Sequence, residues 1–165
     1  MFFSETDNRE KFEEVVRNRL EFFRGIARRI LRNQADADDA VQNALLKSWE
    51  KCCFIRNPQS MAGWIGRIVV NESYNIIRDR RKMETVDIEN AGAAASPDND
   101  SEADYQRMEE AIASLPEKYR QTIHIAVLSG LETDVAAEML ECSPETLYTR
   151  IHRAKKLLRE ALKDE

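Results

Sequence analysis

Apolar residues recur along this chain mostly at steps of three and four, the period of an amphipathic helix. From about residue 10 to residue 31 the stripe is Phe12, Val15, Val16, Phe23, Ile26, Ala27 and Ile30. Arg24, Arg28, Arg29 and Arg32 crowd the second half of this predicted helix, where cations suit the negative end of the helix dipole. A second helix is predicted over 36–51, with Ala37, Ala40, Val41, Ala44, Leu45 and Trp49 on its apolar side. Asp36 is its expected N-cap, with Asp38 and Asp39 in the first turn. Residues 53–57 read as a loop. Asn57-Pro58 then opens a third helix, reaching Lys82, because Asn caps and Pro tolerates the first helical position. Met61, Ile65, Ile68, Val69 and Ile76 form its buried side, while Arg67, Asn71, Tyr74, Arg78 and Arg81 share a polar face.

The periodicity stops over 83–104, which holds an Ala-Gly-Ala-Ala-Ala-Ser-Pro run followed by Asp98, Asp100, Glu102 and Asp104. This stretch is predicted to be a flexible acidic linker. Helical spacing then returns in four pieces. One carries Tyr105, Met108, Ile112 and Leu115 and stops near Pro116; the next carries Tyr119, Ile123, Ala126 and Val127 and ends near Gly130. A short helix spans 133–140, Cys142-Ser143-Pro144 makes a turn, and a last helix repeats Leu147, Ile151, Ala154, Leu158 and Ala161. The expected fold is all-α: two small helical domains, 1–82 and 105–165, joined by the linker 83–104. A short helix, a tight turn and a longer helix make the second domain a helix-turn-helix candidate.

Charge changes the picture of what such a chain can bind. Its net charge of −5 argues against nucleic acid, but the charge is unevenly placed. Residues 1–82 hold 16 Lys/Arg against 12 Asp/Glu, a net of +4; residues 83–115 hold one Arg and nine acids, a net of −8; residues 116–165 net −1. Local potential governs binding, so basic helices can act within an acidic chain. Charged residues make up 33% of the chain and hydrophobic ones 42%, a balance typical of a globular domain with a highly charged surface. The absence of a long apolar run, and a start without a basic segment followed by an apolar core, make a membrane span and a secretory signal unexpected, so a cytoplasmic location is expected. Three cysteines and two histidines, with no C-x-x-C, support neither a zinc site nor a disulfide framework. The cysteines read as small buried apolar residues.

Three constellations could carry function. On the last helix Thr146, Thr149, Arg150 and Arg153 form a polar face suited to a DNA major groove, unless it is merely a solvated surface. On the third helix, arginines with Asn71, Tyr74 and Trp64 one turn earlier could hold a single-stranded backbone and stack on bases, although taken alone Trp64 and Tyr74 are more often core residues than base platforms. On the second helix, Gln42, Asn43 and Lys47 could form a docking face. Asp36, Asp38 and Asp39 fit a helix N-terminus better than a metal site. No nucleophile–base pair, glycine-rich phosphate loop or metal cluster points to an enzyme or a cofactor.

The order of these pieces resembles the extracytoplasmic-function (ECF) branch of the bacterial sigma-70 family, over nearly the whole chain. Residues 36–49, DADDAVQNALLKSW, look like that family's segment that grips the polymerase clamp helices. WIGRIVVN over 64–71, followed by RDRRK over 78–82, looks like its melting and −10 recognition helix. LPEKYR over 115–120 looks like the opening of its second DNA-binding domain, and ETLYTRIHRAK over 145–155 looks like its −35 recognition helix. Departures are Tyr148 at an often basic position, Glu141 at a turn position often held by Gly, Asn75 for a common Asp and Leu45 for a common Phe.

The resemblance implies a non-enzymatic transcription initiation factor with no cofactor. Residues 1–82 would correspond to region 2 and 105–165 to region 4. Asp36, Asp39, Gln42, Asn43 and Leu46 would bind the polymerase β′ clamp, and the second domain the β flap. Trp64, Arg67, Asn71, Tyr74, Arg78 and Arg81 would serve −10 recognition and melting, with Asn71 and the loop from Phe54 to Gly63 holding a flipped base. Thr146, Tyr148, Thr149, Arg150 and Arg153 would read the −35 duplex. An anti-sigma factor is a further partner that the resemblance admits. Two alternatives stay open: a stand-alone helix-turn-helix regulator, and a sigma-like decoy that binds polymerase but no promoter.

Overall fold

The computed structural model describes residues 5–88 and 100–163, with side chains described for 5–83 and 103–163. Every regular element among them is helical: α1 (Glu5–Leu31), α2 (Gln34–Lys51), short 3₁₀ turns at Cys52–Phe54 and Pro58–Ser60, α3 (Met61–Ile88), α4 (Asp100–Ser114), α5 (Glu117–Thr122), a π-helical segment (Ile123–Leu128), α6 (Thr133–Met139) and α7 (Pro144–Ala161).

Helices α1, α2 and α3 pack on one another through the residues that the periodicity picked out. Phe23, Ile26 and Ala27 of α1, Ala37, Ala40 and Ala44 of α2, and Ile65 and Val69 of α3 are all buried. The alanine stripe lets α2 approach its neighbours closely, and the larger side chains of α1 and α3 fill the space between. Two element starts differ from expectation. Helix α1 begins at Glu5, a turn early, because Asn8 is buried and its amide donates to the Cys53 and Ile55 carbonyls at 3.2 and 3.1 Å. This polar anchor ties the helix to the loop after α2 and leaves no trace in apolar spacing. Helix α2 is capped by Asn33, not Asp36: the Asn33 side chain accepts the Asp36 N–H, which leaves Asp36 inside the first turn. There its carboxylate pairs with Arg80 of α3.

The expected linker is shorter at both ends. Helix α3 runs on to Ile88 and α4 begins at Asp100, so the rest of the linker expectation, residues 89–99, lies outside the described residues. In the second half, Ser143 caps α7, its hydroxyl accepting the Thr146 N–H, and Pro144 occupies the first turn. Glu141 stands in the turn between α6 and α7 with φ of +50°, the left-handed region that glycine adopts without cost. The position where a glycine is common thus has the glycine conformation with a glutamate in it.

The two halves share one core. Ile125, Ala136, Ala137, Met139, Leu140 and Leu147 join the buried cluster built from α1, α2 and α3, while Ile112, Leu115, Ile123 and Ala154 form a smaller cluster. The approach is closest at Gly63 of α3, where a Cβ would lie 2.1 Å from the Met139 carbonyl oxygen. Cys52 is buried as expected, but Cys53 and Cys142 are only partly so, and all three are free thiols. None of the described helices is long and apolar enough to cross a membrane.

Candidate nucleic-acid and polymerase interfaces

Helix α7 keeps Leu147 and Ala154 buried, which fixes the opposite side toward solvent. Thr146, Tyr148, Thr149 and Arg153 stand on the exposed surface, and Tyr148 is 62% exposed despite its size. The first turn is tied by side-chain hydrogen bonds. The Ser143 hydroxyl donates to the Thr146 hydroxyl at 3.1 Å, and the Thr149 hydroxyl donates to the Glu145 carbonyl at 3.0 Å. Bonds to backbone N–H at the helix start, then to Ser143, hold the Glu145 carboxyl below its usual range. Arg150 differs from its neighbours. It is only partly exposed, and its guanidinium donates to the Leu140 carbonyl at 3.3 Å. That carbonyl ends α6, so Arg150 braces the two helices of the helix-turn-helix against each other.

Helix α2 presents Asp39, Gln42, Asn43 and Leu46 to solvent, with Leu46 60% exposed beside the half-exposed Trp49. The exposed Leu46 thus stands among the Gln42 and Asn43 amides and the Asp39 carboxylate. Asp36 is set apart from this face by its pairing with Arg80. Lys47 reaches across to α3, where Glu72 accepts its ammonium at 2.6 Å, so it fastens the two helices together.

The polar stripe of α3 lies on one side of the helix, but most of it is engaged. Trp64 is partly buried against the main core. Arg67 donates to the Glu141 carboxylate at 2.9 Å. Burial pushes the Glu141 carboxyl up, yet the bond and charge of Arg67 outweigh it and hold the group below its usual range. The Asn71 amide donates to Glu117 at 2.8 Å and accepts from Gln121 at 3.3 Å. Tyr74 shares a hydrogen bond of 2.8 Å with the His124 Nε2 and lies under the guanidinium of Arg120, 4.5 Å from the ring centre. Burial, then the charges of Arg120 and Arg29, push the buried His124 imidazole down to about 4, so it is neutral. Burial also raises the Tyr74 hydroxyl. Arg78 is exposed and bonds to Asn75 within α3, while Arg81 faces Glu110 of α4 at 4.0 Å. A groove of about 490 Å³ remains open beside Asn71, Arg78 and Arg81. Gly63, placed by the sequence at the end of a loop, belongs to α3 and faces Met139.

Glu117, Arg120, Gln121, His124 and Glu141 cover this stripe, and nothing in the sequence pairs them with it. Their hydrogen-bonded partners lie 46 to 74 residues away along the chain, and no local pattern marks such pairs. The one available signal was Glu141, a charged residue in a turn that favours glycine. Among the described residues no group of His, Cys, Asp and Glu is placed to hold a metal ion.

Comparison with known proteins gives these surfaces a context. The family model "Sigma-70 region 2" matches residues 15–83, and "Sigma-70, region 4" matches residues 105–158. The chain is 28% identical over 151 residues to RNA polymerase sigma factor SigV of Bacillus subtilis (strain 168), covering 92% of this chain and 90% of that protein. It is 30% identical over 137 residues to the ECF RNA polymerase sigma-E factor of Escherichia coli (strain K12), covering 74% and 72%. Among solved structures it resembles the sigma factor RpoE in complex with the anti-sigma factor NepR from Bartonella quintana, at 27% identity and a TM-score of 0.52 over 92% of this chain and 96% of that one. The fold is also that of CnrH, solved with the cytosolic domain of CnrY, at 21% identity and a TM-score of 0.54, covering 93% and 88%. With region 2 and region 4 both matched in order, and relatives of this similarity over most of their length, the chain belongs to the ECF group of the sigma-70 family of RNA polymerase sigma factors.

Proposed function

We propose that this chain is a non-catalytic initiation factor that binds core RNA polymerase, recognises −35 and −10 promoter elements and promotes melting. The exposed face of α2, with Asp39, Gln42, Asn43 and Leu46, docks on the β′ clamp. Asp36 contributes by fixing α2 on α3 through Arg80. The second half meets the β flap and reads the −35 duplex. The observation that carries this reading is the solvent face of α7: Thr146, Tyr148, Thr149 and Arg153 stand in order on a helix whose opposite side is locked by Leu147 and Ala154. Hydroxyls and a guanidinium on a rigid helix can reach base edges and phosphates together. Arg150 supports that helix from behind. The α3 stripe of Trp64, Arg67, Asn71, Tyr74, Arg78 and Arg81 serves the melted −10 strand, its cations holding phosphates and Asn71 a base edge. The protein works in the cytoplasm, where the polymerase is, and an anti-sigma factor is a partner by analogy with the Bartonella quintana relative solved with one.

Gel shifts with promoter DNA, with and without core polymerase, test this reading. Tethering two weak modules on one polymerase raises their effective concentration, so specific binding is expected only with the core enzyme. Tight, specific binding by the chain alone would instead identify a stand-alone regulator.

A further inference from the structure

A second cavity, of about 250 Å³, lies where the C-terminal end of α1 meets α3, α4 and the π-helical segment. It shares Tyr74, Ile77, Arg81 and Ala113 with the groove beside Asn71, and the rest of its wall is its own. Four guanidiniums line it, those of Arg29, Arg32, Arg80 and Arg81, against the single carboxylate of Glu109. Three of the four are opposed by acids: Arg32 by Glu109 at 3.8 Å, Arg80 by Asp36, and Arg81 by Glu110 at 4.0 Å. Arg29 has neither an ion pair nor a hydrogen bond among the described residues, so the cavity keeps an excess of positive charge. Arg32 closes α1 at a φ of +53°, the left-handed region that a helix end ordinarily gives to glycine, and its guanidinium lies over the Tyr105 ring. Residues held in that region recur at ligand clamps. Ile30, Ile77, Ile112 and Leu128 make an apolar wall beside the Tyr74 ring. Glu109 adds an acceptor to it: its Oε1 is buried without a hydrogen-bond partner, a cost that a donor on a ligand would relieve.

We propose that this cavity binds a nucleoside monophosphate. The phosphate meets Arg29, with Arg32, Arg80 and Arg81 around it, through charge-assisted bonds. The Glu109 Oε1 accepts a ribose hydroxyl, the role an acidic residue has in dinucleotide-binding folds. The base lies against the isoleucines and the tyrosine ring. A bare anion would face the Glu109 carboxylate with like charge and leave its oxygen unsatisfied, whereas a neutral ring would leave Arg29 unpaired. One molecule that carries an anion, a hydroxyl donor and a ring answers all three. The volume falls just below the roughly 300–1,000 Å³ usual for small-molecule sites, which limits the ligand to a single nucleotide with one phosphate.

The full-length protein is titrated with AMP, GMP, CMP and UMP, and in parallel with inorganic phosphate and the four unphosphorylated nucleosides, by calorimetry and ligand-detected NMR. Saturable one-to-one binding of at least one mononucleotide is expected, with phosphate and the matching nucleoside weaker by about tenfold or more. Arg29→Gln removes the unpaired charge from an exposed position and is expected to weaken nucleotide binding by about tenfold. Ala113→Leu fills the cavity with a side chain that suits a helix, leaves every guanidinium in place, and is expected to abolish binding. Circular dichroism shows that the variants fold, and the loss in Arg29→Gln supports the proposal even if Ala113→Leu does not fold. No saturable binding of any of the four mononucleotides overturns it. Nucleotide binding that Arg29→Gln leaves unchanged overturns it too, because the ligand then sits elsewhere. Phosphate or the nucleoside binding as tightly as the nucleotide overturns it as well, because the two ends are then not read together. None of these outcomes touches the promoter reading, whose test uses DNA and polymerase.

Discussion

Arg150 and Arg153 lie three positions apart on one helix and face different tasks. Arg153 is exposed, whereas Arg150 donates to the carbonyl that ends α6. Arg153→Ala is therefore expected to weaken −35 recognition with no change in melting temperature. Arg150→Ala is expected to lower stability by about 1 kcal/mol, the typical worth of such a bond, as well as to weaken initiation. Thermal unfolding followed by circular dichroism, paired with promoter-directed transcription, separates the two; equal stability of both variants would remove the bracing role. His124 gives a pH signature. Its folded pKa, about 4, lies below the ordinary 6.5, so the unfolded chain takes up the proton first as pH falls. The stability linked to its burial is complete above about pH 6.5 and declines as pH falls toward 4. The loss between pH 6.5 and 5 is expected to be on the order of 2 kcal/mol, at 1.36 kcal/mol per pKa unit. His124→Asn should flatten urea-melt stability across that window, and an unchanged slope would show that another group titrates there. The sequence marked Arg150 and His124 as residues of interest or of none, but a side chain's partner ten or fifty residues away is not written in its neighbours.

At the scale of elements, apolar period and capping residues carried most of the information. Most stripe residues of α1, α2 and α3 are buried, because an apolar face at helical spacing has one way to leave water, but Val16, Leu45, Ile68 and Ile76 are only partly so and Trp49 is exposed. Boundaries were less legible. Asn33 rather than Asp36 caps α2, and either residue type can serve as an N-cap, so composition could not choose between them. Helix α1 extends over a polar turn on the strength of Asn8, and α3 extends six residues beyond Lys82 into what reads as linker. The face of α2 has a consequence of its own. Asp39 lies on it and is exposed, so Asp39→Arg should leave the helix intact while setting the wrong charge on the proposed docking surface. A pull-down with core polymerase is expected to show strongly reduced retention, with unaltered circular dichroism. Retention equal to wild type would place the docking face elsewhere.

For the whole molecule, the order of helices made the all-helical architecture and the family readable, and the charge partition explained how an acidic chain can carry locally basic helices. The relation between the halves was not readable. It depends on Arg67 meeting Glu141, Asn71 meeting Glu117 and Tyr74 meeting His124, pairs that neither spacing nor composition links. The proposed function requires that this chain direct core polymerase to promoters through two separately read DNA elements. The most direct measurement is run-off transcription by core polymerase plus this protein on a randomised promoter library, with sequencing of the templates transcribed. The prediction is initiation at defined positions, from templates enriched in two sequence blocks at −35 and −10 with a fixed spacing between them. Transcripts no more frequent than with core polymerase alone, or templates with no enriched blocks, would contradict it.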